Sequence, residues 1–203
     1  MLESPNNLSA VDDSAEIHDL EPSFLRKTGS FFLEIFQMVV VTFLLYFAID
    51  AFIDRVQVES ISMLDTVKPG ELLMVWKQAY RNEENFQYGD IVVFHAPNEP
   101  GEDYIKRLIG LPGDTVTVAD QKVFVNGEIL NEPYIKEPPY YSGSWEVPAG
   151  YLFVLGDNRN MSGDSHEWGF LPIENVFGRA FFIYWPVFEI GTLPRFDPLS
   201  LEP

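Results

Sequence analysis

The 203 residues are enough for one domain of ordinary size plus an additional segment, and a hydrophobic fraction of 46% excludes a wholly disordered chain. The formal net charge of −18 argues against a nucleic-acid partner, because neutralising phosphates requires clustered Lys and Arg side chains. The chain contains no cysteine, which excludes disulfide bonds, thiol nucleophiles and thiolate metal sites.

Residues 1–30 begin with an acidic stretch that carries no Lys or Arg over residues 1–22. Such a stretch buries too little apolar surface to offset the entropy lost on ordering. We therefore interpret residues 1–30 as a disordered acidic tail, for which a solvated spacer is the simplest interpretation.

Residues 31–54 (FFLEIFQMVVVTFLLYFAIDAFID) are the most apolar part of the chain. A helix of this length spans about 35 Å, which exceeds the roughly 30 Å of a bilayer core. The segment is therefore predicted to be a transmembrane helix, and its three acids, Glu34, Asp50 and Asp54, lie near the ends. A core helix of a soluble protein remains an alternative, because the uninterrupted centre is short and carries Gln37. A cleavable signal peptide is disfavoured, because Asp50 stands where a small residue is needed.

Residues 55–190 contain short β-type segments rich in Val, Ile, Phe and Tyr, separated by Gly, Pro and Asn. Asn126-Gly127 predicts a type I′ hairpin turn, because both residues tolerate positive φ. Closely spaced strands without long helical patterns predict a mainly β domain, built as a coiled sheet or barrel. Residues 191–203 are interpreted as a C-terminal tail. The predicted strands are Leu72–Trp76, Ile91–Phe94, Tyr104–Ile109, Thr115–Val118, Lys122–Val125, Tyr151–Leu155 and Phe177–Trp185.

Ser60 and Ser62 lie two residues apart shortly after the apolar segment. In an extended chain they point to the same side, so one hydroxyl could attack a carbonyl while the other donates to the developing oxyanion. Paired serines near a strand end are usually only solvated, so this pair alone does not indicate catalysis.

Lys106 belongs to a predicted strand that places Tyr104, Lys106 and Leu108 on one face. A lysine between an aromatic and an aliphatic side chain usually extends its ammonium group to water. The alternative is a partly buried, neutral amine, which requires desolvation to lower its pKa by about three units. Only the second arrangement makes Lys106 a general base near neutral pH.

Residues 156–169 (GDNRNMSGDSHEWG) form a dense polar segment after a predicted strand. A calcium-binding EF-hand is excluded, because Arg159 and Met161 occupy positions where oxygen ligands belong. The segment is either a plain surface loop or a loop that orients a catalytic base. Metal and nucleotide sites are poorly supported, because the sequence lacks HExxH, Walker and GxGxxG motifs, and no metal site is predicted.

Four segments, taken together, resemble the motifs of bacterial type I signal peptidases. Their order and spacing agree with the family, and so does an apolar helix just upstream of the first motif. The resemblance covers about residues 31–185. SISMLDTV (60–67) resembles the nucleophile motif, YGDIVVF (88–94) a Gly-Asp strand motif, DYIKRLIGLPGD (103–114) the general-base motif and GDNRNMSGDSHEWG (156–169) the last motif.

The resemblance implies a membrane-bound serine protease with Ser62 as nucleophile and neutral Lys106 as general base. The Ser62 backbone N–H and the Ser60 hydroxyl would form the oxyanion hole, and Ser162 would hold the Lys106 amine by a hydrogen bond. No cofactor is implied. Further supporting positions carried over from the motifs are Tyr104, Asp164, Gly156, Asp157, Asn158 and Arg159.

By the same resemblance, the substrates would be exported preproteins with small residues at positions −3 and −1, as in an A-x-A site. The chain would be a single-pass protein of the plasma membrane, with the lipid bilayer as a partner. Residues 1–30 would be cytoplasmic and residues 55–190 extracytoplasmic. No nucleic-acid partner is implied, and the oligomeric state is not predicted.

Two positions depart from the family pattern: Asp65 replaces a proline, and His166 stands where Arg is common. Asp65 is expected to loosen the turn after the nucleophile and to favour the charged form of Lys106. One alternative function is a Ser-Lys autoprotease of the SOS-repressor kind, which the apolar segment disfavours. The other is a membrane-tethered β domain with weakened catalytic activity.

Overall fold

The computed structural model describes the backbone of residues 22–196 and the side chains of residues 31–196. Its first element is helix α1, Pro22–Phe52. Within α1, Phe31–Phe52 has a mean hydropathy of 2.2, which makes the helix long and apolar enough to cross a membrane. The side chains of this stretch are exposed.

Helix α1 differs from the predicted segment 31–54 at both ends. It begins at Pro22, because proline fits the first helical position, where its missing N–H costs nothing. Residues 22–30 are therefore helical, and only residues 1–21 of the predicted disordered tail lie outside the described residues. Ile53 and Asp54 leave the helix, because they pair with Trp76 and Val75 as part of a strand.

The second unit of the chain begins at Ile49 and contains one large antiparallel sheet. Its strands are β1 Ile53–Gln57, β2 Leu72–Trp76, β3 Ile91–His95, β4 Asp103–Gly110, β9 Tyr151–Leu155, β10 Leu171–Pro172, β11 Val176–Trp185 and β12 Gly191–Thr192. They are ordered β1-β2-β11-β3-β4-β9-β10, with β12 paired to β11. Strand β1 therefore lies at one edge of the sheet.

A smaller antiparallel sheet consists of β5 Thr115–Ala119, β6 Lys122–Val125, β7 Glu128–Ile129 and β8 Gly143–Glu146. Its strands have the order β7-β6-β5-β8. The predicted hairpin turn is confirmed, with φ of 54° at Asn126 and 85° at Gly127. A short helix, α2, covers Ser165–Trp168. Short 3₁₀ turns occur at Glu83–Asn85, Ile173–Asn175 and Val187–Glu189.

All seven predicted strands are present, each with ends within one residue of the prediction. The mainly β prediction is therefore confirmed. The sequence did not indicate β1, β8, β10 and β12, of which β10 and β12 have only two residues each. The predicted C-terminal tail is wrong for residues 191–196, because β12 pairs with Phe182 and Ile183, and Arg195 Nε donates to Asp90 at 2.7 Å.

Strand β3 is buried on both faces, which explains its uninterrupted Ile-Val-Val-Phe sequence. Ile91 and Val93 pack into one hydrophobic cluster, whereas Val92 and Phe94 pack into another. The first cluster also contains Met63 and Val67, from the turn that follows β1. The core therefore anchors the turn that carries Ser62.

Candidate active site

Ser62 lies in a tight turn whose backbone is fixed from two sides. Val67 N–H donates to the carbonyl of Met63 at 2.9 Å, and both of these side chains are buried. From the distant segment 156–169, the backbone N–H of Asn158 donates to the carbonyl of Ser62 at 3.0 Å. The Asn158 side chain donates to the carbonyl of Ile61 at 3.1 Å. The position of Ser62 Oγ is therefore set by both the core and this segment.

The structure brings the two predicted catalytic side chains into contact. Lys106 Nζ donates to Ser62 Oγ at 2.7 Å, and Ser60 Oγ lies 3.1 Å from Ser62 Oγ. The Tyr104 ring lies beside the amine, with its centroid 5.3 Å from Nζ. A hydroxyl hydrogen-bonded to an amine, with a second hydroxyl adjacent, is an arrangement suited to acyl transfer.

Lys106 does not extend to water, as an ordinary strand lysine would. Only 3% of its surface is exposed. Burial lowers the pKa of Lys106 to about 8, because the ammonium loses its hydration, while the carboxylates of Asp164 and Asp157 oppose this decrease. A substantial fraction of the amine is therefore neutral at mildly alkaline pH, as a general base must be.

Ser162 lies next to the dyad but does not make the hydrogen bond that the resemblance implies. Its Oγ is buried and has no hydrogen-bond partner among the described residues. A Cβ added at Gly156 would lie 2.2 Å from Ser162 Oγ and 2.5 Å from the carbonyl oxygen of Ser62. Gly156 therefore permits a close approach between these two serines that no larger residue allows.

A buried ion pair joins the turn, the lysine strand and the segment 156–169. The Arg107 guanidinium donates to Asp157 from Nε at 2.8 Å and from Nη2 at 2.6 Å, and neither side chain is exposed. Thr66 Oγ1 donates to the same carboxylate at 2.5 Å, and Arg107 Nη1 donates to the carbonyl of Gly89 at 2.8 Å. Asp157 was among the site residues expected from the motifs, whereas Arg107 and Thr66 were not. The available signal was two adjacent basic residues on one strand, which place a cation on each face.

Asp164 and Arg159 shape the rest of the segment. Asp164 caps α2 and accepts the backbone N–H of Gly156 at 2.9 Å. Arg159 is buried, donates to the carbonyl of Gly156 at 3.1 Å and forms an ion pair with Glu132. Both supporting residues therefore act on the backbone that contacts Ser62.

The two departures from the family pattern have different surroundings. Asp65 is largely exposed and pairs with Lys136 at 3.3 Å. The expectation that Asp65 favours the charged form of Lys106 is wrong. The carboxylates that raise the pKa of Lys106 are those of Asp164 and Asp157. His166 is mostly buried, with its Nδ1 2.6 Å from Asp164 Oδ1.

An open cleft of about 640 Å³ lies in front of the dyad. Two backbone edges border it, formed by residues 55–62 and 102–106, with Met161 and Gly163 completing the lining. Strand β1 is an edge strand, and residues 103–106 of β4 pair with β3 alone. Both edges therefore offer unpaired backbone groups to an extended peptide.

Comparison with known proteins gives matches over most of the chain. The family model described as "Signal peptidase, peptidase S26" matches residues 31–185, which is more than half of the chain. The chain is 45% identical over 147 residues to a probable signal peptidase I-1 of Synechocystis sp., covering 68% of this chain and 74% of that protein. It is 46% identical over 145 residues to a signal peptidase I of Leptolyngbya laminosa, covering 67% and 70%. It is 30% identical to a signal peptidase I of Pseudomonas aeruginosa over an alignment of 265 positions, which covers 99% of this chain and 91% of that protein.

Proposed function

This chain belongs to the signal peptidase family, peptidase S26, whose members are serine endopeptidases, and we propose that it uses a Ser62–Lys106 dyad. Its proposed reaction is the removal of signal peptides from exported preproteins. The observation that carries the proposal is the 2.7 Å contact between Lys106 Nζ and Ser62 Oγ, made by a lysine whose burial lowers its pKa to about 8. An ordinary surface lysine is almost fully protonated at a pH of about 8 and therefore cannot accept a proton.

In the proposed mechanism, neutral Lys106 accepts the hydroxyl proton of Ser62 while Oγ attacks the scissile carbonyl carbon. The backbone N–H of Ser62 and the hydroxyl of Ser60 stabilise the oxyanion of the tetrahedral intermediate. The Lys106 ammonium then protonates the leaving amine, and the peptide C–N bond breaks to leave an acyl ester on Ser62. Lys106 next accepts a proton from water, the resulting hydroxide attacks the ester, and the proton returns to Ser62 Oγ.

The substrate would lie as an extended strand between the two backbone edges of the cleft. Side chains two residues apart on an extended peptide point to the same side, so those at −1 and −3 enter the protein together. The preference for an A-x-A site follows if the space beneath both side chains is small. The free edges of β1 and of residues 103–106 support this binding mode.

The chain is proposed to be a single-pass protein of the plasma membrane, with α1 as its anchor, its N-terminal tail cytoplasmic and its catalytic unit extracytoplasmic. The apolar, exposed stretch Phe31–Phe52 supports the anchor. A second lipid contact is proposed at an apolar loop after β11, where 83% of the Phe188 surface is exposed. Other exposed apolar residues here are Trp185, at the end of β11, and Val187 and Ile190 of the loop.

Cleavage of a synthetic A-x-A signal peptide by the detergent-solubilised full chain tests the proposal, with products identified by mass spectrometry. Ser62→Ala and Lys106→Arg should both abolish cleavage, because guanidinium cannot release its proton at accessible pH. Lys136→Arg is the matched control, since Lys136 is an exposed lysine, and it should retain full activity. Ser60→Ala should lose about 10²- to 10³-fold, the usual effect of removing one oxyanion donor. The alternative base is His95, whose Nδ1 lies 2.7 Å from Asp103 Oδ1. An active Lys106→Arg protein together with an inactive His95→Ala protein would replace this mechanism by one based on histidine.

A further inference from the structure

A second cavity, of about 420 Å³, is lined by two arginines, Arg179 and Arg195, and by Trp76. It shares no lining residue with the active-site cleft. Arg179 on β11 and Trp76 at the end of β2 are direct partners in the register of these two strands. The side chains of Arg179 and Arg195 are 32% and 37% exposed, so a molecule from outside can reach both guanidinium groups.

The two guanidinium groups of this cavity share one carboxylate. Arg195 Nε donates to Asp90 Oδ1 at 2.7 Å, whereas Arg179 Nη1 lies 3.6 Å from the same oxygen, which is too far for a hydrogen bond. Within the part of the chain that the structure describes, neither arginine forms an ion pair with another carboxylate. Because both guanidinium groups keep their charge at accessible pH, the cavity has an excess of one positive charge.

The shared carboxylate is held in place by buried groups. Asp90 is only 1% exposed, and its Oδ2 accepts the hydroxyl of Tyr80 at 3.0 Å. The Tyr80 ring stacks on Phe86 with a centroid distance of 4.0 Å and an interplanar angle of 13°. Asp90 thus fixes Nε of Arg195, and the Gln87 side chain accepts from Nη1. Among the described residues Nη2 of Arg195 has no acceptor, and it is therefore the nitrogen left for a ligand.

The cavity lies close to the point where the chain leaves the apolar helix. The apolar stretch ends at Phe52, and the next residue, Ile53, pairs with Trp76, which in turn pairs with Arg179. Two strand spacings of about 4.8 Å therefore place Arg179 about 10 Å from Ile53. The backbone N–H of Lys77 donates to the carbonyl of Phe52 at 2.9 Å, which ties the end of the helix to this side of the sheet. The headgroup layer at the end of a spanning helix is within reach of a long side chain at this distance.

The acids next to the helix end are paired with other cations and do not neutralise the arginines of the cavity. Asp54 pairs with Lys77 at 3.7 Å, and Asp50 pairs with Arg55 at 3.9 Å. The whole chain has a net charge of −18, so the local positive excess does not reflect a generally basic surface. Trp76 is 43% exposed, and tryptophan favours the headgroup level because its ring is apolar and its N–H is polar.

We propose that the cavity lined by Trp76, Arg179 and Arg195 binds the phosphate group of a membrane phospholipid. The phosphate oxygens accept hydrogen bonds from Arg179 and from Nη2 of Arg195, and the indole of Trp76 packs against the glycerol part of the lipid. Guanidinium suits this ligand because its planar donors match two phosphate oxygens at once. The inference rests on the proposed membrane anchor and is independent of the Ser62–Lys106 dyad.

The test is a titration of the full chain in micelles of an uncharged detergent, to which phosphatidylglycerol is added at increasing mole fraction. Tryptophan fluorescence reports binding, and the contribution of Trp76 is identified by its loss in Trp76→Phe. Phosphatidylglycerol should give a saturating response, whereas an uncharged diacylglycerol with the same acyl chains should give none. Inorganic phosphate alone should bind much more weakly, because it lacks the part of the ligand that contacts Trp76.

Arg179→Gln is the informative variant, because Asp90 keeps its hydrogen bond to Arg195 and no buried carboxylate loses its partner. It should raise the half-saturating mole fraction of phosphatidylglycerol about tenfold, the usual effect of losing one charge-assisted hydrogen bond. Arg179→Lys keeps the charge but loses the paired donors, so its value should lie between the two. Arg81→Gln is the matched control, since it removes the same charge from an exposed arginine outside the cavity lining, and it should stay within about twofold of wild type.

Equal half-saturating fractions for wild type and Arg179→Gln would overturn the inference, and so would equal responses to phosphatidylglycerol and diacylglycerol. A response to inorganic phosphate as strong as that to the lipid would assign the cavity to the free ion and overturn the lipid as its occupant. A full chain that does not associate with phosphatidylcholine vesicles would instead remove the proposed anchor. Cleavage that persists in Ser62→Ala would remove the proposed dyad, so the three failures are distinguishable.

Discussion

Replacing Lys106 by methionine should stabilise the folded protein at neutral pH, although it removes the proposed base. The ammonium of Lys106 is hydrated in the unfolded chain and almost completely buried in the folded one. Methionine has a similar length and needs no hydration, so it can occupy the same space without this cost.

The magnitude follows from the pKa of Lys106, which falls from 10.5 to about 8 on folding. A decrease of about 2.5 units corresponds to roughly 3 kcal/mol, at about 1.4 kcal/mol per unit. Losing the hydrogen bond to Ser62 Oγ offsets about 1 kcal/mol of this gain. The expected net stabilisation is about 2 kcal/mol, or roughly 4–8 °C in Tm for a chain of this size.

The sign can be checked by pH, because the folded state has the lower pKa for Lys106. Between pH 8 and 10.5 the unfolded chain binds more protons, so the stability of the wild type rises with pH in this window. Below pH 8 the destabilisation by Lys106 is fully present, and above pH 10.5 it disappears. The advantage of Lys106→Met should therefore be constant from pH 6 to 8 and should shrink as the pH approaches 10.5.

Thermal unfolding of the full chain in detergent, followed by tryptophan fluorescence at pH 6, 8 and 10.5, measures this difference. Lys136→Met is the matched control, since Lys136 is an exposed lysine on the same unit, and it should leave Tm nearly unchanged at each pH. A Lys106→Met protein that is less stable than wild type at pH 6 would contradict the burial argument. A stability gain that is the same at all three pH values would show that packing, and not desolvation, causes it.

Three further changes test other features. Gly156→Ala should lower kcat/KM by at least about 10²-fold, because its Cβ would lie 2.2 Å from Ser162 Oγ and displace the site; wild-type activity would refute this packing. Asp157→Asn should cost about 3–5 kcal/mol in the free energy of urea unfolding, because it leaves the buried Arg107 guanidinium unpaired; a loss below about 1 kcal/mol would show that the pair is not a structural tie. Phe188→Ser should reduce the stimulation of cleavage by lipid vesicles while leaving cleavage in detergent unchanged; equal stimulation in both proteins would remove the proposed lipid contact.

The strands were predictable because each carries a local signal. Strand β3 is a run of β-branched and aromatic residues. Asn126-Gly127 fixes the hairpin turn between β6 and β7 through its backbone conformation alone. The contact of Ser62 with Lys106 could be expected only from the resemblance, because 44 residues separate them. Spacing along the chain carries no information on a contact over that distance.

The direction of individual side chains was not predictable. Asp65 is close to Ser62 in sequence and was expected to act on Lys106, but its side chain pairs with Lys136. Asp164 raises the pKa of Lys106 instead, because the fold brings the segment 156–169 against the turn that carries Ser62. The stacking of Tyr141 on His166 likewise depends on a loop whose path has no local signal.

The segment 156–169 contacts the turn that carries Ser62 through hydrogen bonds of long sequence separation. Its hydrogen bonds join Asp157 to Thr66 across 91 residues and Asn158 to Ile61 across 97 residues. Contacts of such long separation form late, because loop-closure entropy must be overcome before they contribute. A chain that ends at β8 contains both residues of the proposed dyad, but it lacks the segment 156–169 that contacts the turn carrying Ser62. The proposed dyad is therefore expected to become competent only after the segment 156–169 has docked on the turn that carries Ser62.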